Sequence, residues 1–247
     1  YISTMHYIME ACAENKKKIL ILDRPNPNGF YVDGPILEEK HKSFVGMHPI
    51  PVVHGLTVGE LAKMINGEGW LKGKVKCELE VIECINYSHK DYYKLPIAPS
   101  PNLPNMSSVY LYPSICFFEG TSVSVGRGTD FPFQVIGSPY VLETSYSFTP
   151  SPNVGSKNPK YKGVKCNGYN LSLFGLLYIR NTKKIYLQWL LGMNEKTKGK
   201  DFITRASFFD LLAGTNSLRK QITEGKSVEG IHKSWEKGLK NYKLMRS

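Results

Sequence analysis

The sequence predicts an α/β domain with a parallel sheet, followed by a smaller α+β domain. Apolar residues recur every three or four positions over 2–15, as on one face of a helix. The apolar run 19–22 follows and is typical of a strand buried on both faces of a parallel sheet. A helix followed by such a strand is half of an α/β layer. Residues 98–104 are rich in proline and indicate a connector, so we place the domains at 1–105 and 106–247.

The remaining elements of the first domain follow from local signals. Thr57 precedes Glu60 by three positions, which is the pattern of a capping box, and apolar residues then continue on one face. The sequence therefore predicts a helix from Thr57, with Glu60 as a capping group rather than a catalytic acid. Partial alternation over 75–85 predicts a strand.

The second domain begins with residues typical of strands and ends with residues typical of helices. Aromatic and β-branched residues predict strands at 109–112, 115–118 and 131–136. Prolines and glycines indicate a loop over 149–163. Apolar periodicity predicts helices at 173–191, 208–212, 217–222 and 227–235.

Composition narrows the class of function. The formal net charge of +11 favours acidic partners, but the lysines are spread along the chain and no nucleic-acid-binding motif accompanies them. We therefore expect a solvated basic surface and no nucleic-acid partner.

The sequence contains no run of 18 apolar residues, so it predicts no membrane-spanning helix. The five cysteines include no Cys-x-x-Cys pair, which argues against a structural zinc site and leaves one disulfide possible. Dinucleotide, phosphate-loop and zinc-hydrolase motifs are also missing, so no cofactor or metal is expected.

Four polar candidates lie in the loops of the first domain. Arg24 and Asn26 follow the predicted strand 19–22, at the edge of the sheet where ligands of α/β proteins bind. Arg24 suits a carboxylate and Asn26 a hydroxyl or amide, although an Asp23–Arg24 pair that shapes the turn is an equal alternative. His54 precedes the capping box, and Asn102 lies between prolines. Each can contact a ligand, or each can be an ordinary loop histidine and a turn-forming asparagine.

The strongest candidate pair is Glu119 with Arg127, which is flanked by two glycines. The intervening segment predicts a hairpin across which the carboxylate and guanidinium face each other. Glycosidases use carboxylates to move protons or to orient a nucleophile, and glycines allow a sugar to approach closely. The alternative is a purely structural ion pair.

A set of short sequence segments, including those around the candidate residues above, occurs in an order that resembles one family, the exo-β-N-acetylmuramidases (NamZ), long described only as a domain of unknown function. The matching segments are Tyr1–Thr4, Leu22–Pro27, Val32–Pro35, Phe44–Gly46, Pro49–Pro51 with His54–Gly55, Pro99–Pro104, Tyr112–Pro113, Phe118–Thr121, Gly126–Thr129, Pro132–Phe133, Ile136–Pro139 and Phe209–Thr215. Each segment is weak alone, but their order over nearly the whole chain is specific.

The resemblance implies removal of terminal β-1,4-linked N-acetylmuramic acid from peptidoglycan fragments, with help from the substrate's own acetamido group. It also implies a Rossmann-like first domain, a cleft between the domains, and a periplasmic or extracellular location. Arg24 or Arg127 would bind the lactyl carboxylate. Asn102, Glu119 or Tyr112 would orient the acetamido group, and the sequence does not rank them.

One family feature is not found in the chain. The family's Gly-Pro-Glu-His-Gly segment, whose glutamate is the favoured acid/base, has no match here, so we expect that residue upstream, together with the first strands of the sheet. The 247 residues alone would then be inactive. A non-catalytic protein that binds muropeptides is the alternative function.

Overall fold

A computed structural model describes residues 1–142, 144–197 and 201–246 of the chain. The first domain contains α1 (Ile2–Glu14), β1 (Lys18–Leu22), β2 (Asp33–Ile36), β3 (Pro51–Val53), α2 (Val58–Gly67) and β4 (Glu78–Ile82). The second begins with α3 (Met106–Ile115) and a 3₁₀ turn (Cys116–Gly120), followed by β5 (Val135–Ser138), β6 (Tyr146–Phe148) and β7 (Cys166–Asn170). The later helices are α4 (Ser172–Phe174), α5 (Arg180–Thr182), α6 (Gln188–Lys196), α7 (Ala206–Ala213), α8 (Ser217–Thr223) and α9 (Val228–Arg246), with a π-helical turn joining α4 to α5.

The first domain has the predicted α/β layering. Strands β1 and β4 pair in parallel, with Ile19 opposite Leu79. Helices α1 and α2 pack on this pair, and α2 begins with the predicted capping box of Thr57 and Glu60. The wider Rossmann-like assignment stays a prediction, because the described part of the sheet shows two parallel strands.

The prediction that β1 is buried on both faces is wrong. Ile21 is buried against the helices, whereas Leu20 is 55% and Leu22 is 67% exposed. A strand's side chains alternate between its faces, and α1 and α2 pack against only one face of the β1–β4 pair. Within the described chain, the apolar run of β1 is therefore buried on one side only.

The predicted strands 109–112 and 115–118 are also wrong, because both segments are helical. The side chain of Asn105 accepts from the Ser108 N–H, and the Ser108 hydroxyl in turn donates to the Asn105 carbonyl, so α3 starts with a cap. Eight of the ten residues of α3 are buried, so its apolar residues are not confined to one face as they are on a surface helix. The expected strand at 131–136 begins only at Val135.

Two hydrophobic cores stabilise the protein. One lies around α1, α2 and β1 and includes Leu61 and Ile65, and the larger one lies around α3 and the later helices. Helix α9 joins the two: Trp235 belongs to the larger core, while Tyr242 is buried in the first one. The Tyr242 hydroxyl donates to the His54 carbonyl at 2.8 Å, which ties the last helix to the first domain.

The second domain contains a small antiparallel sheet. Strands β5, β7 and β6 form one three-stranded sheet, with β7 in the centre.

All five cysteines are free thiols, so the possible disulfide is not formed. Within the described residues, no helix is both long enough and apolar enough to cross a bilayer.

Candidate functional site

Two cavities lie side by side between the domains and share one wall residue, Tyr112. The inner cavity, of about 190 Å³, is lined by His48, His54, Cys116 and the end of α7, together with Tyr112. The outer cavity, of about 580 Å³, is lined by Arg24, Asn28, Pro99 and Leu103, again with Tyr112. We refer to the two together as the cleft.

Helix α3 and its 3₁₀ extension place Tyr112 and Cys116 in the wall of the cleft and Glu119 beside it. Tyr112, Cys116 and Glu119 follow one another at spacings of four and three residues, so they share one face of the helix and its 3₁₀ extension. Burial, followed by the charge of Glu119, raises the pKa of the Cys116 thiol to about 12. Burial raises the pKa of Tyr112 above its usual range although the residue is 36% exposed, and a tyrosine hydroxyl is a hydrogen-bond donor at neutral pH in any case.

The predicted contact between Glu119 and Arg127 is present. Arg127 Nε donates to Glu119 Oε1 at 2.9 Å, and the guanidinium lies 4.8 Å from the centre of the Phe133 ring. The ring of Tyr112 packs against the same phenylalanine, with the ring centres 4.8 Å apart. The pair therefore lies beside the shared wall of the cleft, in partial contact with solvent.

The hairpin expected between these two charges does not exist. Glu119 belongs to the 3₁₀ turn, and Arg127 lies in a loop between Gly126 and Gly128, whose φ angles are 76° and 80°. A side chain on Gly128 would meet the Ser151 carbonyl at 2.6 Å, so glycine is required at this position. These turns direct Arg127 back to the carboxylate.

Lys160 is a cation beside Glu119 that sequence reasoning missed. Its ammonium donates to the carbonyl oxygens of Thr121 and Val123, just after the 3₁₀ turn. Burial lowers the pKa of Lys160, and the charge of Glu119 opposes that shift. No sequence signal separates this lysine from its neighbours, since it lies in the loop 149–163 with several others.

Arg24 lies in the outer cavity with its guanidinium free of ion pairs to any described residue. The alternative that Asp23 pairs with Arg24 is not what the structure shows. The Asp23 carboxylate accepts the Arg24 backbone N–H at 2.9 Å and the Gly59 N–H at 2.7 Å, and so joins β1 to the start of α2. Arg24 is exposed and available to a ligand.

The two predicted asparagines hold loops together. Asn26 donates to the Leu56 carbonyl and accepts from the Asn28 N–H, both at 2.9 Å. Asn102 donates to the Gly155 carbonyl at 2.7 Å. Their structural role is thus established, and their role in substrate binding stays a prediction.

A third asparagine, Asn28, was not predicted, although it lines the outer cavity. Its amide donates to the Val109 carbonyl at 3.1 Å, which links the loop after β1 to α3. This contact spans 81 positions of sequence, so only the folded chain reveals it.

His54 lies in the inner cavity in its neutral form. Burial, with a further contribution from Arg246, lowers the pKa of His54 to about 4. Its Nδ1 accepts the Leu56 N–H at 3.1 Å, so the ring proton is on Nε2. A neutral imidazole with an Nε2 proton is a hydrogen-bond donor rather than a charged group.

Within the described ranges, no group of three or more His, Cys, Asp or Glu side chains has the geometry of a metal site. The cleft instead combines aromatic and aliphatic walls with a few fixed donors, an unpaired arginine and an ion pair at one edge. This composition is typical of a site for a small polar organic ligand. The position of the cleft between an α/β domain and an α+β domain is also typical of such sites.

Comparison with known proteins places the chain in a family. Residues 1–107 match the family model "Exo-beta-N-acetylmuramidase NamZ, N-terminal", and residues 110–247 match its C-terminal counterpart. Because the two matches take up almost the whole chain, the protein belongs to the NamZ family. The resemblance inferred from sequence motifs is thereby confirmed.

One curated relative and two solved structures are informative. The "Peptidoglycan beta-N-acetylmuramidase NamZ" of Bacillus subtilis (strain 168) is 35% identical over 278 aligned positions, which cover 100% of this chain and 62% of the relative. Crystal structures of two DUF1343 family proteins from Bacteroides fragilis NCTC 9343 superpose with TM-scores of 0.96 and 0.77, at 51% and 26% identity. In both cases the match covers 100% of this chain and 69% of the other.

Proposed function

We propose that the protein takes part in releasing terminal β-1,4-linked N-acetylmuramic acid from peptidoglycan fragments, as a glycosidase that uses the substrate's acetamido group. Family membership and the name of the Bacillus subtilis relative support the reaction class. The observation that carries the proposal is Tyr112, a protonated phenol shared by both cavities and adjacent to the Glu119–Arg127 pair.

In such a reaction the acetamido oxygen forms a bond to the anomeric carbon while the glycosidic carbon–oxygen bond breaks. The leaving oxygen takes a proton from an acid, and the acetamido group must be held in line. We assign that positioning to Tyr112 and Glu119. The phenol suits the acetamido oxygen as a donor, and the carboxylate suits the acetamido N–H as an acceptor.

Arg24 is the better partner for the lactyl carboxylate of muramic acid. Arg127 is already bound to Glu119 and packed against Phe133, whereas the Arg24 guanidinium has no carboxylate partner among the described residues. A guanidinium binds a carboxylate through two parallel hydrogen bonds, which favours a substrate with a lactyl group over one without it.

The first experiment compares hydrolysis of a chromogenic β-N-acetylmuramide by the protein as the cell makes it and by its Glu119→Gln and Tyr112→Phe variants. We expect kcat to fall about 100-fold in Glu119→Gln, as when a charged group that stabilises a transition state is removed. In Tyr112→Phe we expect a fall of about 10-fold, the value of one neutral hydrogen bond. Lys237→Ala, on the exposed face of α9, is the control. Wild-type rates in both variants would contradict the assignment.

The second experiment compares the muramide with the matching β-N-acetylglucosaminide, which lacks the lactyl group. Arg24→Ala should raise KM for the muramide by about 10-fold or more, the value of one charged hydrogen-bonded contact, and leave KM for the glucosaminide unchanged. Equal effects on both substrates would show that Arg24 does not read the carboxylate.

A second candidate function is binding of muropeptides without cleavage. No Asp or Glu is among the described residues that line either cavity, so the proton donor is not found there. We therefore expect the 247 residues alone to bind without cleaving. Calorimetry beside the hydrolysis assay separates the two functions: muropeptide binding without turnover, in the protein as the cell makes it, would favour the non-catalytic one.

A further inference from the structure

A basic groove whose lining residues are separate from those of the cleft lies where three distant parts of the chain meet. Its cationic side chains are Lys90, from the turn after β4, Lys183, at the end of α5, and Lys243 and Arg246, at the end of α9. The groove has a volume of about 490 Å³ and shares no lining residue with either cavity of the cleft. We call this surface the basic groove.

The charge of the basic groove is not neutralised. None of its described lining residues is Asp or Glu, and none of the four cations forms an ion pair with a described residue. The carboxylates nearby are engaged elsewhere. Glu60 binds His89 and caps α2, and Asp91 accepts the Ser88 N–H. Four like charges kept together repel one another, so an anionic ligand would stabilise the arrangement.

The backbone that carries these cations is fixed. Arg246 donates to the Gly55 carbonyl at 2.8 Å, which holds the end of α9 against the first domain. Lys183 adopts a left-handed conformation, with φ of 50°, and its N–H donates to the Ile179 carbonyl. Arg246 is thus already positioned, and a group that is already positioned loses less entropy when it binds a ligand.

The groove also has aromatic walls, formed by Tyr92 and Phe30, whose ring centres are 5.3 Å apart. The guanidinium of Arg180 lies 3.4 Å from the centre of the Tyr92 ring, so one face of that ring is covered. Stacked nucleobases need open aromatic faces, whereas the edges and remaining surface of these rings suit the apolar side of a sugar. The mixture favours a carboxylated sugar over a nucleic acid.

The groove extends into a neighbouring depression that shares His89, Lys243 and Arg246 with it. That depression is more mixed in charge, because Glu60 and Glu68 also line it. A continuous surface of this form suits a linear ligand rather than a single ion.

We propose that the basic groove is a second glycan-binding site that binds a chain of sugars carrying carboxylates, apart from the cleft where hydrolysis takes place. The identity of the natural ligand as a cell-wall glycan rests on the proposed function, but the binding itself does not. Such a site would keep the protein on a polymeric substrate between cleavages and would use part of its net charge of +11.

The test measures binding directly, without hydrolysis, by titrating the protein with a hyaluronate oligosaccharide as the carboxylated probe. A neutral chito-oligosaccharide of equal length and a single-stranded oligodeoxynucleotide are titrated in parallel. The variant is Lys183→Glu/Lys243→Glu. Its control is Lys233→Glu/Lys237→Glu, which makes the same charge change on exposed positions of α9. Lys183→Arg/Lys243→Arg keeps the charge and should keep binding.

We expect hyaluronate to bind in a salt-sensitive manner, with at least a 10-fold loss in the groove variant and no loss in the control. The neutral sugar and the oligonucleotide should bind at least 10-fold more weakly. No hyaluronate binding, equal loss in both variants, or stronger binding of the oligonucleotide through the same lysines would each overturn the proposal. A protein without muramidase activity could still bind hyaluronate, so failure of the two proposals is distinguishable.

Discussion

Asp23 is the residue whose removal should show most clearly how the cleft depends on the first domain. It follows β1, and its N–H donates to the Ile82 carbonyl of β4. Its carboxylate accepts from the Arg24 N–H, the Gly59 N–H and the Thr57 hydroxyl, at 2.9, 2.7 and 2.7 Å. Asp23 thus joins the sheet to the start of α2 and fixes the backbone of Arg24.

The expected cost follows from these three bonds. Asp23→Ala removes a charged acceptor at a helix N-terminus and leaves the Gly59 N–H without its partner, which should lower the free energy of unfolding by about 3 kcal/mol. Asp23→Asn keeps one oxygen for the two N–H donors and loses the charge and the acceptor for Thr57. Its cost should be about 1–2 kcal/mol.

Urea unfolding followed by circular dichroism measures both changes, provided that the dependence on urea is the same in each variant. Asp91→Ala is the matched control, because the exposed Asp91 carboxylate accepts the Ser88 N–H and belongs to a local turn. We expect it to cost less than about 1 kcal/mol. Equal costs for Asp23→Ala and Asp91→Ala would refute the view that Asp23 holds the sheet and the helix together.

Two further changes test the packing around the cleft. Gly120→Ala should cost about 2–3 kcal/mol in urea unfolding, because the new methyl group would lie 2.9 Å from the Phe209 Cα, whereas Gly192→Ala, in open space on α6, should be neutral or stabilising. Burial, with the charges of His6 and Lys42, lowers the pKa of His48 to about 4, so the unfolded chain gains this proton first and stability falls as the pH drops below about 6.5. His48→Phe should remove about 2 kcal/mol of the loss between pH 7 and pH 5, and an unchanged pH profile would show that His48 is not responsible.

Local signals were sufficient for some elements. The capping box of α2 was predicted because Thr57 and Glu60 interact within a single turn. The contact between Glu119 and Arg127 was likewise predicted, since the two residues are eight positions apart. The form of the intervening chain was not, because a 3₁₀ turn and a glycine-flanked loop replace the expected hairpin.

The conformation of α3 and the partners of two asparagines depend on contacts between distant parts of the chain, which local sequence signals do not reveal. Helix α3 is rich in residues typical of strands, yet it is a helix whose residues are mostly buried in the larger core. Similarly, the amides of Asn26 and Asn102 bond to carbonyls 30 and 53 positions away. Neither partner can be identified without the fold, so these residues were predicted as ligand groups.

Tyr112 lies where the inner and outer cavities meet, since it lines both of them. With tyrosine present, the space is divided into two compartments, of about 190 and 580 Å³. We expect a smaller residue at this position to join the two spaces, from Arg24 to the end of α7, because Tyr112 is the described residue that lines both. Position 112 is therefore the natural starting point for testing whether the two compartments can be made into one.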